Sequence, residues 1–256
     1  PTPTVPFVGS SDVYKRQVLE ESGSEYLLGK IMASATAPGL ILAIFAGVII
    51  DKVNRKWLLV SLDIFRLIVV SVFLYFISKF NFEVSFLYPV AFFMGLGNSL
   101  FWPTAQAFVQ ELVSEKDYFN ANKLLSASYQ VGSIFGAGVG GLVVHAYSPI
   151  VALWINILTY IVSAIFISLA PFKRKNLYTE EKSLFDLIMK GFSYLKKRID
   201  ILILGLTTIL SDVAIWGSLS VLTITISKEV FGKGSLGYGI MDGLYGIGAL
   251  FSTVLV

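Results

Sequence analysis

The sequence predicts an all-α integral membrane protein with about seven transmembrane helices. Hydrophobic residues make up 55% of the chain and charged residues only 14%, whereas soluble domains carry about 25% charged residues. Uncharged runs recur along the chain at lengths near 20 residues, and about 20 residues in a helix are enough to cross a hydrocarbon core about 30 Å thick. These observations exclude an ordinary soluble domain.

The predicted spans are joined mostly by short polar segments. Residues 124–172 contain no charge and are interrupted by His-Ala-Tyr-Ser-Pro at 145–149, which predicts two spans and a tight turn. Pro38 and Gly39 predict a kink in the first span. The other spans correspond to the runs 31–50, 57–78, 84–110, 201–227 and 236–256.

The segment 173–198 has a different character. It is rich in Lys and Arg, and apolar residues recur at helical spacings of three and four, namely Leu184, Ile188, Phe192 and Leu195. This pattern predicts an amphipathic helix that lies on the membrane surface.

Residues 1–17 look foreign to the rest of the chain. Three prolines fall in the first six positions, and the stretch has no apolar run for a span or signal peptide. Its Ser-Ser-Asp-Val-Tyr-Lys-Arg-Gln portion resembles translated adaptor sequence, and the alternative is a disordered native tail. We therefore leave this segment out of the fold prediction.

A short charged turn at residues 47–57 separates the first two spans and predicts the orientation. Basic residues concentrate in cytoplasmic loops. With alternating spans, the loops on the side of this turn hold 13 Lys and Arg residues and the opposite loops hold 3. The turn is therefore expected in the cytoplasm, with the N-terminal end of the first span outside.

The same turn resembles a known loop signature. Residues 47–56 read G-x-x-x-D-K-x-N-R-K, similar to the G-x-x-x-D-R-x-G-R-R/K loop between the second and third helices of major facilitator superfamily transporters. Asn54 stands at the glycine of that pattern and Lys52 at its first arginine. We take the chain to resemble this superfamily.

Three further stretches, at residues 101–105, 117–124 and 132–141, are similar to its drug-exporter-like branch, which includes macrolide-efflux and enterobactin-exporter proteins. The last stretch resembles the antiporter signature G-x-x-x-G-P-x-x-G-G, with Ala137 in place of the proline. A second departure is that the run 84–110 lacks the arginine that many proton-coupled exporters carry there.

The resemblance implies a major facilitator type helical bundle of twelve spans in two halves. The chain then looks like a fragment without the first span and the last four. Residues 18–171 correspond to spans two to six of the N-terminal bundle, 172–198 to the cytoplasmic linker, and 199–256 to spans seven and eight.

The resemblance also implies a cytoplasmic gate at Gly47, Asp51, Arg55 and Lys56. Asp63 and Arg66 lie deeper in the second run, two and three helical turns beyond Lys56. A charge near mid-membrane costs about 3 kcal/mol on insertion scales, so these two should face protein, water or each other. They are predicted to act as a structural latch at the gate, and direct ligand contact is the alternative.

A coupling or substrate role is expected for Asp212, which falls 12 residues, or about 18 Å, from Asp200 at the membrane edge. Burial would favour its protonated form. The alternative is pairing with another helix, and Asp242 is a shallower candidate. Asn98 and Gln130 could line a substrate path or bond across helices.

Glycines at four-residue spacing allow close helix packing, with or without a gating role. The row comprises Gly132, Gly136 and Gly140, followed by Gly141.

Together these features predict a plasma-membrane exporter of small amphipathic or hydrophobic molecules, coupled to protons in the manner of an antiporter. Alternatives are a seven-helix receptor and a non-exporting transporter of the same fold. We expect no enzyme, because the chain has one histidine, no cysteine and no H-E-x-x-H or G-x-S-x-G motif. No metal, cofactor or nucleic acid is expected. The expected partners are the lipid bilayer, a small-molecule substrate and protons.

Overall fold

The computed structural model describes residues 25–80, 83–170, 184–232 and 234–255, and no strand occurs among them. Two 3₁₀ turns, Val84–Phe86 and Glu115–Asp117, precede helices, and a π turn, Ile226–Val230, follows one. Residues 1–17 lie outside the described residues, so the interpretation of that segment stays a prediction. The helices are α1 (Glu25–Lys52), α2 (Arg55–Lys79), α3 (Leu87–Leu112), α4 (Tyr118–Ala146), α5 (Pro149–Leu169), α6 (Leu184–Lys197), α7 (Ile199–Thr225) and α8 (Gly234–Leu255).

The helices coincide with the runs that the sequence predicts as spans and as a surface helix. Among the described residues, three helical segments are long and apolar enough to cross a membrane: Arg55–Lys79, Val84–Leu112 and Ile150–Leu169. A fourth span results if the two parts of α1, Gly29–Leu40 and Phe45–Lys52, are counted together. The all-α membrane architecture is confirmed, and the total of seven spans stays a prediction.

The predicted kink in the first span is present. The two parts of α1 are inclined by 56° to each other, and the bend follows Pro38 and Gly39. The carbonyl that Pro38 leaves without an N–H is that of Ser34, which lies within the first part of α1, so the bend begins after the proline and not at its missing hydrogen bond.

Side-chain caps explain where two of the helices begin. The side chain of Asn54 accepts a hydrogen bond from the backbone N–H of Trp57 and thereby starts α2, so that only Val53 and Asn54 separate α1 from α2. Ser148 caps α5 in the same way through the N–H of Val151, and Pro149 occupies the first helical turn. The turn predicted at residues 145–149 is therefore confirmed.

The five helices α1 to α5 belong to one compact unit. Within it α1 packs along α3, α2 packs against α3 and α5, and α4 makes smaller contacts with α3 and α5. One core cluster contains Ile31, Val70, Phe73, Leu74, Leu87, Val90, Ala91, Leu153 and Ile157. A second, smaller cluster contains Leu59, Ala105 and Phe108 near one end of the helices.

Two glycines of α3 allow this close packing. A β-carbon at Gly95 would lie 1.9 Å from the carbonyl oxygen of Ala35, so α1 and α3 touch there backbone to backbone. A β-carbon at Gly97 would lie 2.8 Å from Cγ of Arg66. Neither glycine belongs to a motif of the sequence.

A second compact unit contains α6, α7 and most of α8. At the start of α7 the guanidinium of Arg198 donates two hydrogen bonds to Asp200, at 3.1 and 2.8 Å. These hydrogen bonds raise the pKa of Arg198. The helix predicted from the apolar spacing in residues 173–198 is confirmed as α6.

Candidate gate and buried charge cluster

The charged turn after α1 forms a three-helix contact that we call the Arg55 clamp (Asp51, Arg55 and Glu111). Nη2 of Arg55 donates to Oδ1 of Asp51 at 2.8 Å, and Nη1 donates to Oε1 of Glu111 near the end of α3. Nη1 also lies 3.5 Å from the carbonyl oxygen of Ala107. One guanidinium therefore joins the ends of α1, α2 and α3.

The two contacts of the clamp differ in burial. The side chains of Arg55 and Glu111 are 15% and 13% exposed, while Asp51 is 50% exposed. Exposed ion pairs are worth little because water screens them, whereas breaking an enclosed pair leaves an uncompensated charge. Among the described residues, Nε of Arg55 and Oε2 of Glu111 are buried without a hydrogen-bond partner. We therefore expect the Arg55–Glu111 ion pair to contribute more to the stability of the clamp than the Arg55–Asp51 ion pair.

Lys56 ties a fourth helix to the same end of the unit. Its ammonium group donates to the carbonyl oxygen of Ala170 at 2.8 Å, directly after α5. This carbonyl is one of those left without an intrahelical partner at a helix end, where a cation is favourable.

Gly47, the first residue of the loop signature, is exposed, and a β-carbon there would meet no atom within 4 Å.

Asp63 and Arg66 lie deeper and form part of a separate group, the Arg66 cluster (Asp63, Arg66, Asn98, Phe101, Tyr160 and Ser163). The two charged side chains contact each other on one face of α2 and are 1% and 9% exposed. The second carboxylate oxygen of Asp63 accepts a hydrogen bond from the hydroxyl of Ser163 on α5 at 2.7 Å. Both oxygens of this buried carboxylate therefore have partners.

The guanidinium of Arg66 is held on all sides. Its Nε donates to the carbonyl oxygen of Leu62 at 3.3 Å, and its Nη1 donates to Oδ1 of Asn98 on α3 at 3.0 Å. Its carbon Cζ lies 4.1 Å from the ring centre of Phe101 and 4.8 Å from that of Tyr160. Arginine is suited to such a site because it donates to planar acceptors and stacks on aromatic faces.

The remaining predicted residues are not brought into these two groups by the described structure. Gln130 is half-buried in α4, and a β-carbon at Gly132 would meet no atom within 4 Å. Gly136, Gly140 and Gly141 also lie in α4. Asp212 and Asp242 lie in α7 and α8, and their side chains are outside the described residues. Their roles stay predictions.

Several residues of both groups were not predicted from the sequence as members of a site. Glu111 had a usable signal, since it is an acidic residue on the same side of the membrane as Asp51 and Arg55 if spans alternate. Phe101 belongs to the stretch 101–105 that resembles the drug-exporter-like branch, but nothing in that stretch indicates a contact with Arg66. Ser163 and Tyr160 had no signal, because serines and aromatic residues occur throughout the apolar runs. Among the described residues, no group of three or more His, Asp or Glu could hold a metal ion.

A family model described as transmembrane secretion effector matches residues 18–256. The chain belongs to this family, within the major facilitator superfamily. The fold class and the resemblance stated from the loop signature are thereby confirmed.

The relatives of the chain carry transporter names. It is 27% identical to the "Putative bacilysin exporter BacE" of Bacillus subtilis over 213 residues. This matched region covers 83% of this chain and 53% of the relative. It is 26% identical over 182 residues to the "Uncharacterized MFS-type transporter YfiS" of Bacillus subtilis strain 168, covering 70% and 42%. The "Uncharacterized transporter BU466" of Buchnera aphidicola is 23% identical over 175 residues, covering 66% and 42%.

The chain thus spans about half the length of the curated relatives it matches. No solved structure matches. The family and the relatives are transporters rather than enzymes, and the chain is an integral membrane protein of that family.

Proposed function

We propose that the protein is a secondary active exporter of the plasma membrane that moves small amphipathic or hydrophobic molecules outward by alternating access. Its membership of a transporter family and its exporter-named relatives support this reading. The structural observation that carries it is the Arg55 clamp, because one residue of the loop signature ties the ends of three helices together.

In this proposal the Arg55 clamp lies on the cytoplasmic side, as the charge distribution of the loops favours. The clamp and the Lys56 contact hold one end of α1, α2, α3 and α5 as a single body. Alternating access in such transporters is largely rocking of one bundle against the other around a midplane site. Because their ends are joined by these contacts, the four helices can move together as one rigid body.

The two bundles of this mechanism correspond to residues 18–171 and to the part that begins at residue 199, with residues 172–198 as the cytoplasmic linker. The amphipathic character of α6 supports a linker that lies on the membrane surface.

Asp212 is the proposed proton carrier, with Asp242 as a second candidate. A carboxyl group about 18 Å from the membrane edge is costly when ionised and much less so when neutral. Protonation would therefore change which arrangement of the bundles is favoured. The Arg66 cluster is less suited to this task, because both oxygens of Asp63 already have donors.

The test is transport by the full-length protein in inside-out proteoliposomes with an imposed pH gradient. Bacilysin is the first substrate to try, because three of the relatives carry the name "Putative bacilysin exporter BacE", and N-phenyl-1-naphthylamine is a general amphipathic probe. We expect saturable uptake into the vesicles that a proton ionophore abolishes. Uptake only in right-side-out vesicles would indicate a non-exporting solute transporter instead.

Two aspartate variants examine the coupling. Asp212→Asn mimics the neutral carboxyl group and should abolish the pH-driven component of uptake. Asp200→Asn, the same change at the membrane edge of the same helix, should retain that component. If Asp212→Asn transports with an unchanged pH dependence, Asp212 is a structural residue and coupling lies elsewhere.

A further inference from the structure

Asn98 occupies an unusual position at the centre of α3. It lies 11 residues after Leu87 and 14 residues before Leu112, about 16 and 21 Å from the two ends of the helix. Its side chain is exposed, whereas the neighbouring Gly97 is buried and Ser99 is half-buried. An amide facing hydrocarbon at this depth would have no hydrogen-bond partner in the lipid. This face of α3 is therefore better suited to a polar pathway than to lipid.

The orientation of the Asn98 amide is determined by Arg66. A guanidinium has only donors, so the group that faces Nη1 of Arg66 at 3.0 Å must be the carbonyl oxygen Oδ1. Arg66 cannot turn away, because Asp63, the carbonyl of Leu62 and two aromatic rings hold it. The amino group Nδ2 consequently points away from Arg66. Within the described residues Nδ2 makes no hydrogen bond.

The hydrogen bond from Arg66 makes the exposed amino group of Asn98 a stronger hydrogen-bond donor. A hydrogen bond from a cation to the oxygen of an amide polarises the amide and strengthens its N–H groups as donors, since hydrogen bonds in a chain reinforce one another. The buried ion pair of Arg66 with Asp63 stays intact while the amide presents two N–H groups on the exposed side.

The surface around this donor is apolar and aromatic. Met94 and Trp102, both half-buried, lie one turn before and one turn after Asn98 on the same face of α3, and Met94 also packs against the larger core cluster. The ring centre of Trp102 lies 4.9 Å from that of Tyr129 on α4. Binding sites for small molecules commonly combine such a surface with a few fixed polar groups that set orientation and specificity.

The geometry points to Asn98 as a specificity-determining residue whose Nδ2 binds a carbonyl or carboxylate oxygen of the transported molecule. This inference rests on the proposed transport function and narrows its substrate class to amphipathic molecules with a hydrogen-bond acceptor beside an apolar body.

The test measures binding of three matched probes to the purified full-length protein by saturable change in tryptophan fluorescence. The probes are 2-naphthylacetate, 2-naphthylacetamide and 2-ethylnaphthalene, which share one ring system and differ in the acceptor. Wild-type protein should bind the first two about tenfold more tightly than the third, as one strong hydrogen bond would provide. Equal affinities, or no saturable binding of the two acceptor-bearing probes, would overturn the inference.

Two variants separate recognition from a merely structural role. Asn98→Asp keeps an acceptor for Arg66 but replaces the donor by a carboxylate, so it should lose the preference and bind 2-naphthylacetate more weakly than 2-naphthylacetamide. Ser99→Ala is the matched control, because the Ser99 hydroxyl bonds only to the carbonyl of Leu96 in its own helix among the described residues. It should keep the wild-type preference. An unchanged preference in Asn98→Asp would reduce Asn98 to a structural partner of Arg66.

The binding experiment and the transport experiment test the role of Asn98 and the proposed export function separately. Uptake of bacilysin or N-phenyl-1-naphthylamine together with no acceptor preference would leave the proposed export standing and reject the role of Asn98. An acceptor preference that depends on Asn98, in a protein that shows no transport, would support the role of Asn98 in binding and reject the proposed export.

Discussion

At the scale of single residues, the Arg66 cluster explains how two full charges are accommodated inside the helical unit. Removing a charge from water costs several kcal/mol unless partners compensate it. Asp63 has Arg66 and Ser163 as partners, and Arg66 has three acceptors and two aromatic faces. The cluster therefore depends on side chains from α2, α3 and α5 together.

The hydroxyl of Ser163 should contribute measurably to stability. Ser163→Ala leaves one oxygen of the buried Asp63 carboxylate without its donor at 2.7 Å, and we expect a loss of about 1 kcal/mol. Unfolding in a detergent titration of the purified full-length protein measures this loss. Ser168→Ala on the same helix is the control, because Ser168 bonds to the carbonyl of Ile165 in its own helix. Equal losses in the two variants would show that the Asp63 contact is unimportant.

At the scale of helices, the unit depends on close approach of α1 and α3 and on clamps at the helix ends. Without a hydrophobic driving force between helices in lipid, close packing and interhelical hydrogen bonds hold them together. Gly95 and the Arg55 clamp are the clearest examples, one in the middle of the contact and one at its end.

Adding a methyl group at Gly95 should separate α1 from α3. The new β-carbon of Gly95→Ala would overlap the backbone carbonyl of Ala35, which cannot move by rotation of a side chain. We expect a loss of about 1–3 kcal/mol, the usual effect of overpacking. Gly29→Ala in α1 meets no atom within 4 Å and should be neutral or slightly stabilising. The same detergent titration measures both variants. Equal stability of Gly95→Ala and Gly29→Ala would show that the contact between α1 and α3 accommodates the added methyl group.

Removing Glu111 should loosen the end of α3. In Glu111→Ala the enclosed guanidinium of Arg55 keeps its more exposed contact with Asp51 and the 3.5 Å contact with the carbonyl oxygen of Ala107, but it loses its enclosed ion pair, so we expect a loss of about 1–3 kcal/mol. Hydrogen exchange should also increase in the last turn of α3. Gln110→Ala changes the exposed neighbour and should leave both measurements unchanged. Normal protection in Glu111→Ala would mean that the clamp adds nothing to the helix end.

At the scale of the whole molecule, composition places the chain in the membrane, and the charge of the loops predicts its orientation there. A chain with 55% hydrophobic residues belongs in a bilayer, and the imbalance of basic loop residues favours one orientation. In this predicted orientation the Arg55 clamp would lie in the cytoplasm and the turn between α2 and α3 outside.

Labelling of single cysteines with a membrane-impermeant maleimide measures the orientation in intact cells that express the full-length protein. The chain has no native cysteine, so no background has to be removed from residues 1–256. Ser85→Cys, before α3, should react from outside, and Val53→Cys, before α2, should react only after the cells are opened. Both positions are exposed in the structure. The reverse pattern would invert the topology and move the Arg55 clamp out of the cytoplasm.

The sequence by itself determined the class of the protein, the positions of its helices and its family. These properties follow from local features: runs without charge fit a hydrocarbon layer, Asn54 and Ser148 cap helices within a few residues, and the loop signature lies within ten positions. Asp51 and Arg55 belong to that loop signature, and Asp63 and Arg66 stand out as charges in an apolar run, while the role of all four at a gate stays a prediction.

Only the tertiary structure decided which side chains meet. Glu111 reaches Arg55 from 56 positions along the chain, and Ser163 reaches Asp63 from 100 positions. No periodicity encodes such contacts, because they depend on the packing of α2 between α3 and α5. The same packing turns Asn98 from one of several polar residues into an oriented donor, since its oxygen is held by a guanidinium from another helix.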